Sequence, residues 1–164
     1  MNLDLVTIGD LNRDWLIQVP RFPGEDDEIP ISGMVTSAGG DAANIAAAAA
    51  RLGLKTALIA CVGDDPEGQG LLAELGQKGV NTAAVQVIAG EKTGLVISVI
   101  RGDGQRNLYS LRGANARLGI SAAQAELIAR CRAVHVSDPL PELIPSLLQA
   151  LSDSHPFVSL DWTV

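Results

Sequence analysis

Ala38-Gly39-Gly40-Asp41-Ala42-Ala43-Asn44 is the stretch that decides the fold of this chain, and an alanine run to Ala50 follows it. Two adjacent glycines let the backbone take a positive φ and approach a ligand closely. Asp41 is placed to be the N-cap of the helix that follows, and the small side chains would let that helix lie close against a sheet. The free N–H groups and the dipole at a helix start favour oxygen-rich ligands. We therefore interpret the stretch as a substrate-binding loop at the start of a helix.

The same residues also have a purely structural interpretation. Gly39-Gly40 could only turn the chain and Asp41 could only cap the helix, and caps of this kind are commoner than ligand sites. Asp41 and Asn44 lie one helical turn apart, so their side chains can point to the same side. On these residues alone both interpretations stay open.

Composition limits the classes of function. Twelve basic and nineteen acidic side chains give a formal net charge of −7 over 164 residues, which opposes nucleic acid or an anionic membrane as a partner. This length suffices for one domain with a good core. Cys61 and Cys131 lack metal-like spacing and predict buried free thiols, which suit a reducing cytoplasm. We see no secretion signal or membrane-spanning run, so we expect a soluble protein.

Apolar runs and helix start signals alternate along most of the chain. Strand–helix alternation implies a doubly wound, mostly parallel sheet flanked by helices, which is an α/β fold. Asp65-Pro66 is a typical helix start and Gly79 a typical stop. The predicted strands are residues 3–8, 56–62, 133–136 and 157–160, and the predicted helices are residues 41–52, 66–78, 121–130 and 142–151.

Four further segments break that alternation and predict a small separate sheet. Their polar and apolar residues alternate as in strands with one wet face, and Asp103-Gly104 is a hairpin signal. Asn12 and Asp14 follow the first strand of the main sheet. Because ligands of open parallel sheets lie beyond the carboxyl ends of strands, both are candidates for holding hydroxyl groups, although a mere turn is the alternative. The four segments are residues 12–19, 29–37, 93–100 and 105–111.

Several of these motifs together resemble a known family. The stretch Gly39–Ala46, then Gly53, then Gly63 has the residues and gap lengths of the first signature of the ribokinase-like (PfkB-type) carbohydrate kinases. Gly9–Asp14, Thr93-Gly94 and Gly113-Ala114-Asn115 resemble the same family. The resemblance implies a ribokinase-like fold in which the small sheet is a lid. It also implies a set of substrate-binding residues, namely Asn12, Asp14, Gly39, Gly40, Asp41, Asn44 and, with a less certain role, Asn115.

The resemblance further implies a sugar kinase that transfers the γ-phosphoryl group of ATP to a carbohydrate hydroxyl with Mg²⁺. The substrate would be a small sugar or nucleoside, and the lid would pair two chains into a homodimer. Ribokinase itself has lysine where this chain has Asp41, so its pentose preference is not assumed. A carboxylate there accepts hydrogen bonds from hydroxyls but repels phosphate, so neutral sugars or nucleosides fit better than phosphorylated ones.

One half of the family pattern is not found in this sequence. In the family, an Asp-Thr-x-Gly-Ala-Gly-Asp motif in the C-terminal half carries the catalytic base and lies near ATP and magnesium. Residues 1–164 therefore resemble the N-terminal part of a sugar kinase, with the ATP-binding half absent. We expect no catalytic residue and no metal ligand in this chain, which alone would be inactive. The alternative is an inert sugar-binding or regulatory domain.

Overall fold

The computed structural model describes residues 3–152 and 156–162, which form an α/β fold. The strands are β1 (Leu3–Ile8), β2 (Asn12–Val19), β3 (Gly33–Gly39), β4 (Thr56–Ile59), β5 (Cys61–Gly63), β6 (Gln86–Ile88), β7 (Gly94–Arg101), β8 (Arg106–Leu111), β9 (Cys131–Ser137) and β10 (Phe157–Asp161). The α-helices are α1 (Asp41–Arg51), α2 (Pro66–Gln77), α3 (Ala122–Ala129) and α4 (Ile144–Ser152), and short 3₁₀ helices cover Gly113–Arg117 and Pro141–Leu143.

The main sheet has four parallel strands in the order β10-β9-β1-β4. Apolar side chains leave it on both faces, as β4 shows. Ala57 and Ile59 pack in a core with residues of α3 and α4, whereas Leu58 packs in a second core with residues of α1 and α2. Helices thus cover both faces, and the predicted doubly wound, mostly parallel sheet is confirmed.

A small mixed sheet stands beside the main one. Its order is β3-β2-β7-β8, with β2 parallel to β7 and the other two pairs antiparallel. These strands lie close to the four segments expected from the sequence. One boundary was wrong, because residues 29–32 belong to no strand and β3 begins at Gly33. Pro30 has no N–H to donate to a ladder, which disfavours continuation of β3 to residue 29.

Two other boundaries also differ from the prediction. Residues 56–62, expected as one strand, divide into β4 and β5, because β4 pairs with β1 whereas β5 pairs with β6 through Cys61 and Gln86. The helix expected over 142–151 begins with a 3₁₀ turn and becomes α-helical at Ile144. Helix α3 begins with a capping box between Ser121 and Gln124.

A compact cluster of hydrogen bonds fixes the start of β7. Asp65 caps α2 by accepting from the Gly68 N–H at 3.0 Å, and it also accepts from the N–H of Thr93 at 3.0 Å and its hydroxyl at 2.5 Å. The Thr93 hydroxyl in turn accepts from the Gly63 N–H at 3.0 Å. Burial alone would raise the pKa of Asp65, but these hydrogen bonds outweigh it and hold the pKa below its usual value. The cluster therefore joins α2, β5 and β7 at one point.

Both cysteines are free thiols. Cys61 is buried and Cys131 is half-buried, in agreement with the expectation of unpaired thiols in apolar surroundings. Burial, with a smaller effect of the Asp10 charge, raises the pKa of the Cys61 thiol to about 11. Within the described part of the chain, no helix has both the length and the apolar character needed to cross a bilayer.

Candidate functional site

Four chain segments converge at the carboxyl end of β1. The chain leaves β1, enters β2 at Asn12, returns along β3 and starts α1 directly after Gly40. Asn12 is paired with Gly39 on β3 and with Gly94 on β7, so a glycine lies on each side of it. Missing side chains at both neighbours leave room above the start of β2. The sheet register thus creates the space in which the predicted site residues meet.

The Asp14 carboxylate lies over Gly39. A Cβ at position 39 would come within 2.1 Å of the Asp14 Cγ atom, so the carboxylate can lie there because residue 39 has no side chain. The Oδ1 atom of Asp14 is buried and has no hydrogen-bond partner among the described residues. Burial, followed by the negative charge of Asp41, raises the pKa of Asp14. This oxygen is therefore an acceptor that the protein has desolvated without pairing.

Gly40, not Asp41, is the N-cap of α1. Gly40 has φ 95°, and a Cβ there would lie 2.2 Å from the Asp10 carbonyl oxygen, so both the backbone conformation and the close approach require glycine. Asp41 was expected to be the cap. It is instead the first helical residue, because the turn that the chain makes at Gly40 already supplies the cap position. Its exposed carboxylate still lies where the helix dipole favours a negative charge.

Asn44 lies in the same helical turn as Asp41, and its side chain is exposed. The Asn44 N–H donates to the Gly40 carbonyl at 2.9 Å, which closes the first turn of α1. The prediction that Asp41 and Asn44 share one side of the helix start therefore fits the observed helix. Whether either side chain contacts a ligand stays a prediction.

Asp10 is a charged neighbour that the sequence reasoning did not select. It lies two residues after the end of β1, and burial raises its pKa, with Arg112 opposing the shift and Asp138 and Asp41 adding to it. Its Oδ2 atom lies 3.7 Å from Nη1 of Arg112. Its position just after a buried strand was the signal that could have identified it. Asp10, Asp14 and Asp41 thus bring three carboxylates to this region, of which Asp10 has Arg112 nearby.

Asn115 is fully buried and contacts the start of β2 rather than an open surface. Its Oδ1 accepts from the Leu11 N–H at 3.1 Å, and its Nδ2 donates to the Leu11 carbonyl at 3.3 Å and to Asn12 Oδ1 at 2.8 Å. Both N–H bonds of the amide are thereby used. Any role of Asn115 in binding is consequently exerted through its neighbours.

Two cavities border the site. A narrow cleft of about 10 Å³ is lined by residues that include Asp10 and Asn115, and a cavity of about 320 Å³ on the other face of the small sheet is lined by residues that include Arg13 and Gly94. Neither is lined by Asp41 or Asn44. Asp41 and Asn44 are exposed at the protein surface. In residues 3–152 and 156–162, no three His, Cys, Asp or Glu side chains lie close enough together to hold a metal ion.

The sequence profile described as pfkB family carbohydrate kinase matches residues 2–157 of this chain. The chain belongs to the pfkB family of carbohydrate kinases. Its fold is ribokinase-like, as the sequence motifs implied.

Similar proteins include kinases of both sugars and nucleosides. A ribokinase of Haemophilus influenzae is 28% identical over 85% of this chain and 47% of that protein. A nucleoside kinase of Methanothermobacter thermautotrophicus is 31% identical over 82% of this chain and 43% of that protein. The structure of Arabidopsis thaliana ribokinase complexed with ribose and ATP superposes with a TM-score of 0.86 at 27% identity, over 98% of this pfkB-family chain and 53% of that one. The chain spans about half the length of the relatives it matches.

Proposed function

We propose that the protein is a ribokinase-type kinase that transfers the γ-phosphoryl group of ATP to a hydroxyl of a sugar or nucleoside. This chain supplies the part that binds the acceptor, together with the lid. The acceptor-binding residues are Asn12, Asp14, Gly39, Gly40, Asp41 and Asn44, with Asn115 supporting them. The family membership supports the reaction class, and the geometry at the start of α1 supports the division of roles.

One observation carries the acceptor-binding part of the proposal. Asp14 Oδ1 is buried and has no partner among the described residues. Leaving a buried acceptor unpaired costs about 1–3 kcal/mol, which a ligand hydroxyl would recover by donating to it. Glycine at position 39 keeps this carboxylate in place. The surrounding negative charge of Asp10 and Asp41 favours neutral polyhydroxylated ligands over phosphorylated ones.

We propose that the small sheet is the lid over the acceptor and also joins two chains into a homodimer. The sheet face that carries Asp14 at one end carries Val35 and Leu108 at the other, and these are 65% and 53% exposed. Exposed apolar side chains on a sheet face suit a protein interface. A shift of the sedimentation coefficient to the monomer value in a Val35→Lys, Leu108→Lys variant tests the dimer, and an unchanged value contradicts it.

Phosphoryl transfer needs a base and cationic groups around the transferred phosphoryl. The described residues do not fit ATP and magnesium, since they form no metal-holding cluster and the acidic groups near α1 oppose a polyphosphate. We therefore assign ATP, Mg²⁺ and the transfer step to a further part of the kinase. We also propose that the kinase is cytoplasmic. Phe157 and Leu160, on opposite faces of the sheet-edge strand β10, are 73% and 55% exposed, which supports such a further part packing there.

Calorimetric titration of this chain with D-ribose, D-fructose and adenosine tests the binding role. We expect saturable binding of at least one of them, weakened about tenfold or more in Asp14→Asn, because a neutral amide replaces a charged acceptor. Asp26→Asn is the matched control, because Asp26 is exposed in a loop with φ 53°, a conformation that asparagine tolerates. An unchanged affinity in Asp14→Asn would remove Asp14 from the site.

An assay of ADP release by the full-length gene product on the same three acceptors tests the reaction. Turnover of one acceptor supports the kinase. Saturable binding without turnover in the full-length product would favour the inert sugar-binding or regulatory domain. Absence of both binding and turnover with every acceptor would contradict both functions.

A further inference from the structure

We infer that Asn115 is a positioning residue that turns the Asn12 amide so that its NH₂ group faces the ligand. This inference rests on the proposed acceptor site, because it concerns which hydrogen-bonding atom that site presents. Asn115 lies in the 3₁₀ helix Gly113–Arg117, more than a hundred residues from Asn12 in sequence, and is 0% exposed. It contributes through one buried contact between two amides.

The orientation of the Asn115 amide is fixed by the backbone of Leu11. Leu11 offers one N–H donor and one carbonyl acceptor, and the two ends of the amide meet them at 3.1 Å and 3.3 Å. Only the amide oxygen can accept from an N–H, and only the amide nitrogen can donate to a carbonyl. The assignment of oxygen and nitrogen in Asn115 therefore follows from the main chain and allows no flipped alternative.

The orientation of Asn12 follows from that of Asn115. The second N–H of the Asn115 amide points to the Asn12 side chain at 2.8 Å, so the Asn12 atom that it meets must be the oxygen. The Asn12 amide nitrogen is then turned away from Asn115. Asn12 and Asp14 stand two residues apart on β2 and hence on the same face of the sheet. That face consequently presents a donor from Asn12 beside an acceptor from Asp14.

Gly94 leaves the room that this amide pair needs. A Cβ at position 94 would lie 2.2 Å from Asn12 Oδ1 and 2.3 Å from Asn115 Nδ2, so any side chain would separate the two amides. The hydrogen bonds between Asp65 and Thr93 hold the residue immediately before Gly94. Gly94 thus leaves space for the Asn12–Asn115 contact, and the hydrogen bonds of Thr93 hold Gly94 in place.

The arrangement selects the chemistry of the ligand. A carboxylate can only accept, so the ligand group at Asp14 must donate, whereas the ligand group at Asn12 must accept. A hydroxyl satisfies either position. A fluorine in place of a hydroxyl retains weak acceptor character and loses the donor, so it is tolerated opposite Asn12 and not opposite Asp14.

The test measures the affinities of monodeoxyfluoro and monodeoxy analogues of whichever of D-ribose, D-fructose or adenosine binds best. At one carbon of the ligand, we expect the wild-type chain to bind the fluoro analogue about two- to tenfold more tightly than the deoxy analogue. In Asn115→Asp, two oxygens would face each other, so the Asn12 amide should rotate and present its oxygen to the ligand. The preference for the fluoro analogue should then disappear or reverse.

Asn12→Asp also presents an oxygen to the ligand in place of the amide NH₂ group, and it leaves the contacts of Leu11 unchanged. This variant is used for the same measurement if Asn115→Asp fails to fold. Asn107→Asp, an exposed position on β8, is the matched control and should keep the wild-type preference. A general loosening of the site would weaken fluoro and deoxy analogues alike and leave their ratio unchanged. An unchanged ratio in Asn115→Asp and Asn12→Asp would overturn the inference.

Side-chain amide exchange, followed by NMR, separates failure of the inference from failure of the proposed function. If no acceptor binds to the wild-type chain, the proposed function fails. The exchange measurement then tests by itself whether Asn115 orients the Asn12 amide. In Asn115→Asp we expect slower exchange of the Asn12 amide protons, because they would then donate to the introduced carboxylate. Faster or unchanged exchange of those protons would contradict the positioning role.

Discussion

The carboxylate of Asp14 occupies the space that a side chain at residue 39 would fill, with 2.1 Å between the Asp14 Cγ and a Cβ built on Gly39. The two residues lie on neighbouring strands and are offset by two residues in the ladder, since Gly39 pairs with Asn12 and Asp14 pairs with Ser37. One glycine therefore determines where the site's desolvated acceptor stands.

Gly39→Ala should displace this acceptor with little effect on folding. The obstructing atoms belong to a short side chain that can rotate, and Gly39 does not require a positive φ. We expect the affinity for the sugar or nucleoside to fall about tenfold or more, because a hydrogen bond to a charged group is lost. Calorimetry measures the loss, and Gly33→Ala at the other end of β3, with only Gln18 nearby, should bind normally. Equal affinities in both variants would contradict the role of Gly39.

Asp14→Asn should stabilise the unliganded chain near neutral pH even as it weakens binding. Burial and Asp41 raise the pKa of Asp14 in the folded state, so the folded protein takes up its proton more readily than the unfolded chain. Stability from this group is then present at low pH and lost as the pH rises through the raised pKa. The melting temperature of the variant should exceed that of the wild type at pH 7, and the difference should shrink towards pH 4. A variant less stable than the wild type at pH 7 would refute the burial argument.

Asp41→Asn should reduce the discrimination against phosphorylated ligands. Asp41 adds negative charge beside Asp14 and Asp10, both of which have their pKa raised partly by it. Removing that charge should improve the affinity for D-ribose 5-phosphate relative to D-ribose by about threefold at low salt, and less at high salt because of screening. Competition titrations at two ionic strengths measure the ratio. A ratio that is the same in the variant and the wild type would exclude Asp41 from the field felt by the ligand.

Asp65→Ala should destabilise the fold by about 2 kcal/mol, or about 4–8 °C in melting temperature, through loss of the α2 cap and the bonds to Thr93. The pKa of Asp65 is lowered in the folded state, so its contribution is full above the unfolded-state value and is lost as the pH falls through the folded value. Thermal melts from pH 7 to pH 3 check both statements. Asp64→Ala, at an exposed neighbour with one backbone contact, is the control and should cost much less.

Arg13 ties the small sheet to α2, and its two bonds should differ in strength. Nη1 of Arg13 meets Glu74 at 3.0 Å and Nε meets Glu67 at 2.8 Å, but the Glu74 side chain is 31% exposed and that of Glu67 is 52% exposed. We expect a coupling of about 1 kcal/mol with Glu74 and about 0.5 kcal/mol or less with Glu67. Double-mutant cycles with Arg13→Met and the two glutamine variants, read from urea unfolding, measure both. A larger coupling with Glu67 would contradict the assignment by exposure.

The local pattern of the sequence determined most of the architecture. Apolar runs such as Leu3–Ile8, the start signal at Asp65-Pro66 and the glycine pair before α1 act over a few residues, so they predicted the elements and the α/β class correctly. The same pattern brought Asn12 and Asp14 to one strand face. The division of residues 56–62 at Ala60 was missed because β4 and β5 pair with different strands from distant segments.

Only the tertiary structure decided how the site is built. Three features of the site depend on chain segments that meet only in the fold. They are the burial of Asp14 over Gly39, the N-cap position of Gly40 in place of Asp41, and the contact of Asn115 with Asn12. Hydrogen-bond direction and steric exclusion act over about 3 Å, a scale that residue spacing does not encode. The sequence could therefore name candidate ligand-binding groups, whereas the folded chain fixed how their atoms are arranged.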